Sequence, residues 1–234
     1  MKYYLSVMVV LLSFIVALSG CQKGQKTEQD YLSLIERAKE EGDMNGAIRF
    51  YEKLIKEFPE SPRIKEYEDG YIRLLFDAAE KEKKTAYYYL NKAKLFFAGR
   101  EETGLYYEAL YLLGRHFESV ADSARAEECF TDIPPKEYFR IAQDAQTRGN
   151  SLGAIACYRK LLDIYPDYEK SCAARFMIGF IYSEQLKDYP KAREAFQDFL
   201  RACPGDELEE SAKWMLENMD KPIEQIFEKG SSPA

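Results

Sequence analysis

Apolar positions along the chain recur at helical rather than strand spacing. Tyr31, Leu34, Ile35 and Ala38 fall on one face of a helix, and Ala47, Tyr51 and Leu54 on the facing side of a second. Gly42 and Gly46 mark the turn between them and Pro59 closes the pair. The same pattern returns with no gap 107 positions later: residues 31–59 lie on residues 138–166 with ten identities, among them Tyr31/Tyr138, Gly42/Gly149, Ala47/Ala154, Tyr51/Tyr158 and Pro59/Pro166. A small residue at Ala47 lets the second helix approach the first, and the aromatic one turn later fills the space beside it. The spacing predicts helix pairs stacked in tandem. No segment reads as a strand.

The half-motif of an alanine, an aromatic or leucine four positions on and an apolar residue at seven recurs at Ala86/Leu90/Ala93, Ala126/Phe130/Ile133 and Ala192/Phe196/Phe199, the last followed by Pro204. Five units emerge, with alanines 39, 40, 28 and 38 residues apart. Leu113, Gly114 and Phe117 open the third, whose second helix is cut short by Pro134-Pro135. The second lacks the closing proline. The fifth is opened by Gly179 and Tyr182 and carries one extra residue, placed by the sequence in the turn Leu186–Pro190. Beyond Pro204-Gly205, Asp206 is the expected N-cap of a capping helix with Leu208, Ala212, Met215 and Met219 on one face, widened by Trp214 and Leu216. Ile223, Ile226 and Phe227 in the tail could pack back on it.

The first twenty residues follow another rule. Fifteen are apolar, Lys2 is the only charge, and Val7–Leu18 is shorter than the roughly 20 residues a spanning helix needs. That is the pattern of a signal peptide. Leu18-Ser19-Gly20-Cys21 resembles the bacterial lipobox, in which the cysteine is lipidated and becomes the mature N-terminus. The expected layout is residues 1–20 signal peptide, 21–27 lipidated Cys21 and flexible tether, 28–220 repeat domain with its capping helix, and 221–234 tail. The tether Gln22–Thr27 reaches about 20 Å when extended. Gln22 in place of aspartate favours the outer membrane, on its periplasmic face.

Composition narrows function by exclusion. The 234 residues carry 33 Lys and Arg against 40 Asp and Glu, a net charge of -7, so no nucleic-acid partner is expected. No cofactor, metal or small-molecule substrate is expected either. The one histidine, His116, has no nucleophile beside it in sequence; an enzyme built on it is the remote alternative. The pairs Glu101-Glu102, Glu127-Glu128 and Glu209-Glu210 point about 100° apart on a helix and suit solvation. Cys129 and Cys157 each lie three residues after their unit's alanine and read as small buried hydrophobes. Cys172 begins the first helix of unit five and Cys203 ends its second, so a hairpin brings them near enough for a disulfide in an exported chain.

The alanine-aromatic-apolar-proline spacing resembles the tetratricopeptide repeat. That resemblance implies an all-α, right-handed superhelical solenoid of about five helix pairs with a C-terminal capping helix. On its template the fifth position, on the inner face of each first helix, is Leu32, Tyr71, Tyr111, Phe139 and Phe176. These would form an apolar stripe along a concave groove that takes a protein or peptide, with Glu36, Arg115 and Gln143 flanking it; alternatively they complete packing between first helices. A lipobox, tether and repeats together resemble the BamD-like outer-membrane assembly lipoproteins and the YbgF-type periplasmic repeat proteins. The best-matching stretch runs from Phe176 to Tyr182 and on through Ala192, Phe196, Phe199 and Pro204. The implied role is a non-enzymatic, membrane-anchored interaction scaffold of the cell envelope, in outer-membrane protein assembly or, alternatively, as an organiser linked to peptidoglycan, division or Tol-type machinery.

Overall fold

A computed structural model describes residues 26–100 and 103–221. The described residues are helical, with turns between helices and no strand. They divide into two compact units at Ala78/Ala79.

The first unit holds α1 (Glu28–Glu40), α2 (Met44–Glu57) and most of α3, which spans Ile64–Lys81 and so enters the second unit at its last residues. Thr27 and Asp30 close a capping box on α1, Asp30 N donating to Thr27 Oγ1 at 3.2 Å and Thr27 N to Asp30 Oδ2 at 2.8 Å. Ile35, Ala47 and Leu54 are buried between α1 and α2, as their period requires. The buried tyrosines keep their hydroxyls bonded: Tyr31 Oη donates to Glu57 at 2.7 Å and Tyr71 Oη to Glu52 at 3.1 Å.

The second unit contains α4 (Ala86–Phe96), α5 (Gly104–Ser119), α6 (Ser123–Thr131), α7 (Pro135–Thr147), α8 (Ser151–Ile164), α9 (Ser171–Phe180), α10 (Tyr189–Ala202) and α11 (Glu209–Asn218). Each helix from α4 to α6 and from α7 to α11 packs on its successor, and the first helices α5 and α7 also pack on each other. The buried alanines Ala86, Ala126, Ala154 and Ala192 and the rings of Phe130, Tyr158, Phe196 and Phe199 lie at these helix-helix contacts. As the prolines dictate, α6 is only nine residues long, and Pro134 and Pro135 occupy the N-cap and first turn of α7.

One turn joins the helices of four pairs. Asp43, Asp122, Asn150 and Asp188 each cap the second helix, their side chains accepting from Gly46, Arg125, Gly153 and Lys191 N. The cap's own N–H reaches back to a carbonyl of the first helix, Asp43 to Ala38 at 2.8 Å and Asn150 to Ala145 at 2.9 Å. The residue before each cap is left-handed: Gly42 at φ +76° and Gly149 at +78°, but Ala121 at +59° and Lys187 at +52°.

The structure moves three features of the sequence reading. The extra residue of unit five is absorbed not in Leu186–Pro190 but one turn earlier, as a π turn over Ile181–Gln185 with Leu186 N bonded to Ile181 O at 3.0 Å. Asp188 therefore keeps its capping role while its N–H spans six residues back to Tyr182 O rather than five. The N-cap of α11 is Leu208; Asp206 caps the preceding turn, accepting from Leu208 N at 2.9 Å. Ala212, Met215 and Met219 are buried in α11 as its period predicts, but Trp214 is 52% exposed, because the 100° step per residue turns it away from α10.

Candidate functional site

The five positions expected to form an aromatic stripe differ in exposure. Tyr71 and Tyr111 are buried, whereas Leu32, Phe139 and Phe176 are half-buried. Phe139 packs edge-on against Tyr158 at 5.3 Å, and Phe176 against Phe196 and Phe199 at 5.4 and 5.7 Å. Tyr111 stands edge-on to Tyr138 at 6.1 Å, and burial holds its hydroxyl well above its ordinary pKa. Phe139 and Phe176 pack within their own helix pairs, whereas Tyr111 also packs across to Tyr138 of the next first helix.

An open cavity of about 510 Å³ in the second unit is lined by α4, α5 and α7 with the ends of α3 and α8, a size that suits a bound ligand or inserted side chains. Its apolar walls include Leu90 of α4, Leu112 of α5 and Ile141 and Ala145 of α7. Tyr111, Arg115 and His116 reach it from α5, and Arg115 Nη1 donates to Tyr111 Oη at 3.4 Å while its Nε lies 3.2 Å from Glu118. His116 is half-buried, its ring 6.1 Å from Tyr87 and 5.8 Å from Phe117.

Two residues that the sequence reading did not single out organise the polar end. Glu108 of α5 is only 4% exposed, and its Oε1 accepts from Arg148 Nη2 at 2.6 Å. Arg148 is the C-cap of α7, so the pair ties two first helices together. Glu108 Oε2 is buried and receives no hydrogen bond among the described residues. The signal was in the sequence: Glu108 is the one charge in the run Leu105–Leu113. A carboxylate on the buried face of a helix demands a counter-charge.

The remaining chemical candidates are structural. Cys157 is buried, its Sγ donating to Tyr138 O at 3.3 Å, and burial pushes its thiol up to about 12. Cys129 is buried and also shifted upward by burial. Cys172 and Cys203 form a disulfide, Cα–Cα 5.9 Å, joining the first turn of α9 to the end of α10. Among the described residues no cluster of His, Cys, Asp and Glu could hold a metal ion. Cys21 and the pair Glu101-Glu102 lie outside the described residues.

A polar cleft of about 650 Å³ runs between α8 and α10, but its charges are largely engaged. Arg175 bonds Asp198 at 2.8 Å, Lys191 bonds Asp188, and Arg159 donates to Tyr182 Oη at 3.3 Å.

Comparison with known proteins bears on the fold. Residues 31–61 and 173–206 match the tetratricopeptide repeat family. Those stretches are α1 with α2 and α9 with α10, the same helix pairs built above. No curated protein gives a match. Two solved structures of MamA are similar to the chain, at 20% identity over 80% of this chain and 94% of that one with a TM-score of 0.33, and at 22% over 77% and 97% with 0.32. The described residues are helical, and the two matched stretches are tetratricopeptide-repeat helix pairs, an architecture that scaffolds protein–protein interaction.

Proposed function

We propose that the chain is a non-enzymatic, lipid-anchored scaffold of the cell envelope that docks a segment of a partner protein in the cavity between α5 and α7. The cavity carries the proposal: it lies between α5 and α7, is closed by the end of α3 and by α4, and combines an apolar wall with polar groups at its edge. The lipobox ending in Cys21 and the polar tether after it support anchoring in the envelope, on the periplasmic face of the outer membrane. The resemblance to the BamD-like and YbgF-type proteins supports a place in outer-membrane protein assembly.

The test is photo-crosslinking in cells from a reactive amino acid placed at Leu112, which lines the cavity, with the adduct identified by mass spectrometry. Light-dependent capture of one envelope protein is expected. A Val120→Trp change at the exposed rim should reduce that capture several-fold without altering helical content. Capture that ignores the rim change, or that is matched by a reactive group at exposed Leu152, would reject docking in this cavity.

A further inference from the structure

Helix α4 turns Ala86 and Leu90 to the cavity and leaves its opposite face in solvent. Of the six large apolar side chains exposed among the described residues, three belong to this 11-residue helix: Tyr87 at 44%, Tyr88 at 57% and Leu95 at 60%. Tyr88 and Leu95 stand two turns apart on the outer face, with half-buried Phe96 beside them. Cations frame that face. From Lys83 to Arg100 the chain carries five Lys and Arg and no acid, in a protein whose net charge is -7. Glu80 and Glu82 precede this run and Glu101-Glu102 follow it. Glu80 lines the cavity, and Glu82 is held on the first turn of α4, its Oε2 accepting from Thr85 Oγ1 at 3.0 Å and Tyr89 Oη at 3.2 Å. Lys92 Nζ donates to Tyr88 Oη at 3.3 Å and lies 5.4 Å from the ring centre, and the Arg100 guanidinium covers the Phe96 ring at 4.1 Å.

Rings with an apolar body and a polar tip, edged by long cations that can keep their heads in water, match the boundary between hydrocarbon and phosphate in a bilayer. Protein interfaces also favour tyrosine but are depleted in lysine, so the lysines weigh for lipid over a protein partner. Their attraction to anionic headgroups acts within a Debye length, so it needs the face to lie on the surface. Among the described residues no helix is long and apolar enough to cross a membrane. We infer that the outer face of α4 rests on anionic phospholipid headgroups and thereby orients the second unit, with the cavity on the side of α4 turned from the bilayer. This goes beyond docking in the cavity and rests on the anchoring reading only for bringing the chain to a membrane.

The experiment is tryptophan quenching by brominated acyl chains, with the full chain in vesicles of phosphatidylethanolamine and phosphatidylglycerol. Trp214→Phe removes the only tryptophan, and Tyr88→Trp or, as the control on α8, Leu152→Trp supplies a new one at an exposed position. Trp at 88 should be quenched at least about threefold more than Trp at 152. Adding Lys84→Glu and Lys92→Glu, or replacing the lipid by phosphatidylcholine, should bring the quenching at 88 down to that of the control. Equal quenching at the two positions overturns the inference, as does quenching at 88 that ignores both the charge reversal and the anionic lipid. A blue-shifted Trp at 88 that brominated lipid does not quench would mean that a second copy of the chain covers this face, and it overturns the inference too. Acylation of Cys21 is read by labelling and docking by crosslinking from Leu112, so the three proposals fail separately.

Discussion

Gly114 and Gly179 show how single positions set the spacing of the helix pairs. A Cβ built on Gly114 would lie 2.5 Å from the Phe130 ring, and one on Gly179 2.8 Å from the Phe196 ring. Neither ring has room to retreat, since Phe130 packs on Tyr111 and under Lys160, and Phe196 is fully buried against Phe176. Alanine is the better helix former by about 1 kcal/mol, yet overpacking costs about 1–3 kcal/mol, so the clash wins. Gly114→Ala should lower the urea midpoint at unchanged m-value, and an unchanged or raised midpoint would show that the helices can part. These glycines were legible as repeat signatures. The Glu108–Arg148 pair was legible only in half: the lone charge in an apolar run is visible, but its partner lies 40 residues away on the next first helix, and nothing local points there. Likewise the template position of Tyr71 and Tyr111 is visible in sequence while their burial is not, because it depends on how closely the neighbouring helices approach.

At the scale of elements, the hairpin of α9 and α10 is fastened at its open end. Cys172 and Cys203 close a loop with a sequence separation of 31, for which chain entropy gives about 3.5 kcal/mol of stabilisation. Replacing both by alanine should lower the stability of the second unit by about 2–4 kcal/mol, and the variant's urea midpoint should no longer respond to reductant. A wild-type midpoint equally indifferent to reductant would mean that the bond contributes nothing. The proximity of these cysteines followed from hairpin geometry alone, as did the pairs α1–α2, α5–α6, α7–α8 and α9–α10 from their apolar period. The π turn did not, because an inserted residue leaves the same helical period whether it is looped out or swallowed within a turn. What settles its place is Asp188: its carboxylate must meet Lys191 N, so the surplus residue is pushed upstream into Ile181–Gln185.

The whole molecule joins this helical array to an N-terminus governed by different physics. The internal repeat could be read across the chain because register kept over 29 positions is independent of tertiary detail. The lipobox-like stretch is equally local, with Cys21 following the apolar run after Ser19-Gly20. If Cys21 is acylated, each buried methylene contributes about 0.8 kcal/mol and two or more chains hold the protein at the membrane without an amphipathic helix. The folded residues would then sit within the reach of Gln22–Thr27, about 20 Å from the bilayer when extended. Cys21→Ser removes the acceptor and leaves the apolar run intact, which separates a lipid anchor from a signal-anchor. With a lipid anchor, the wild type incorporates labelled palmitate and the variant does not. With a signal-anchor, neither is labelled, and an unlabelled wild type would overturn the anchoring proposal.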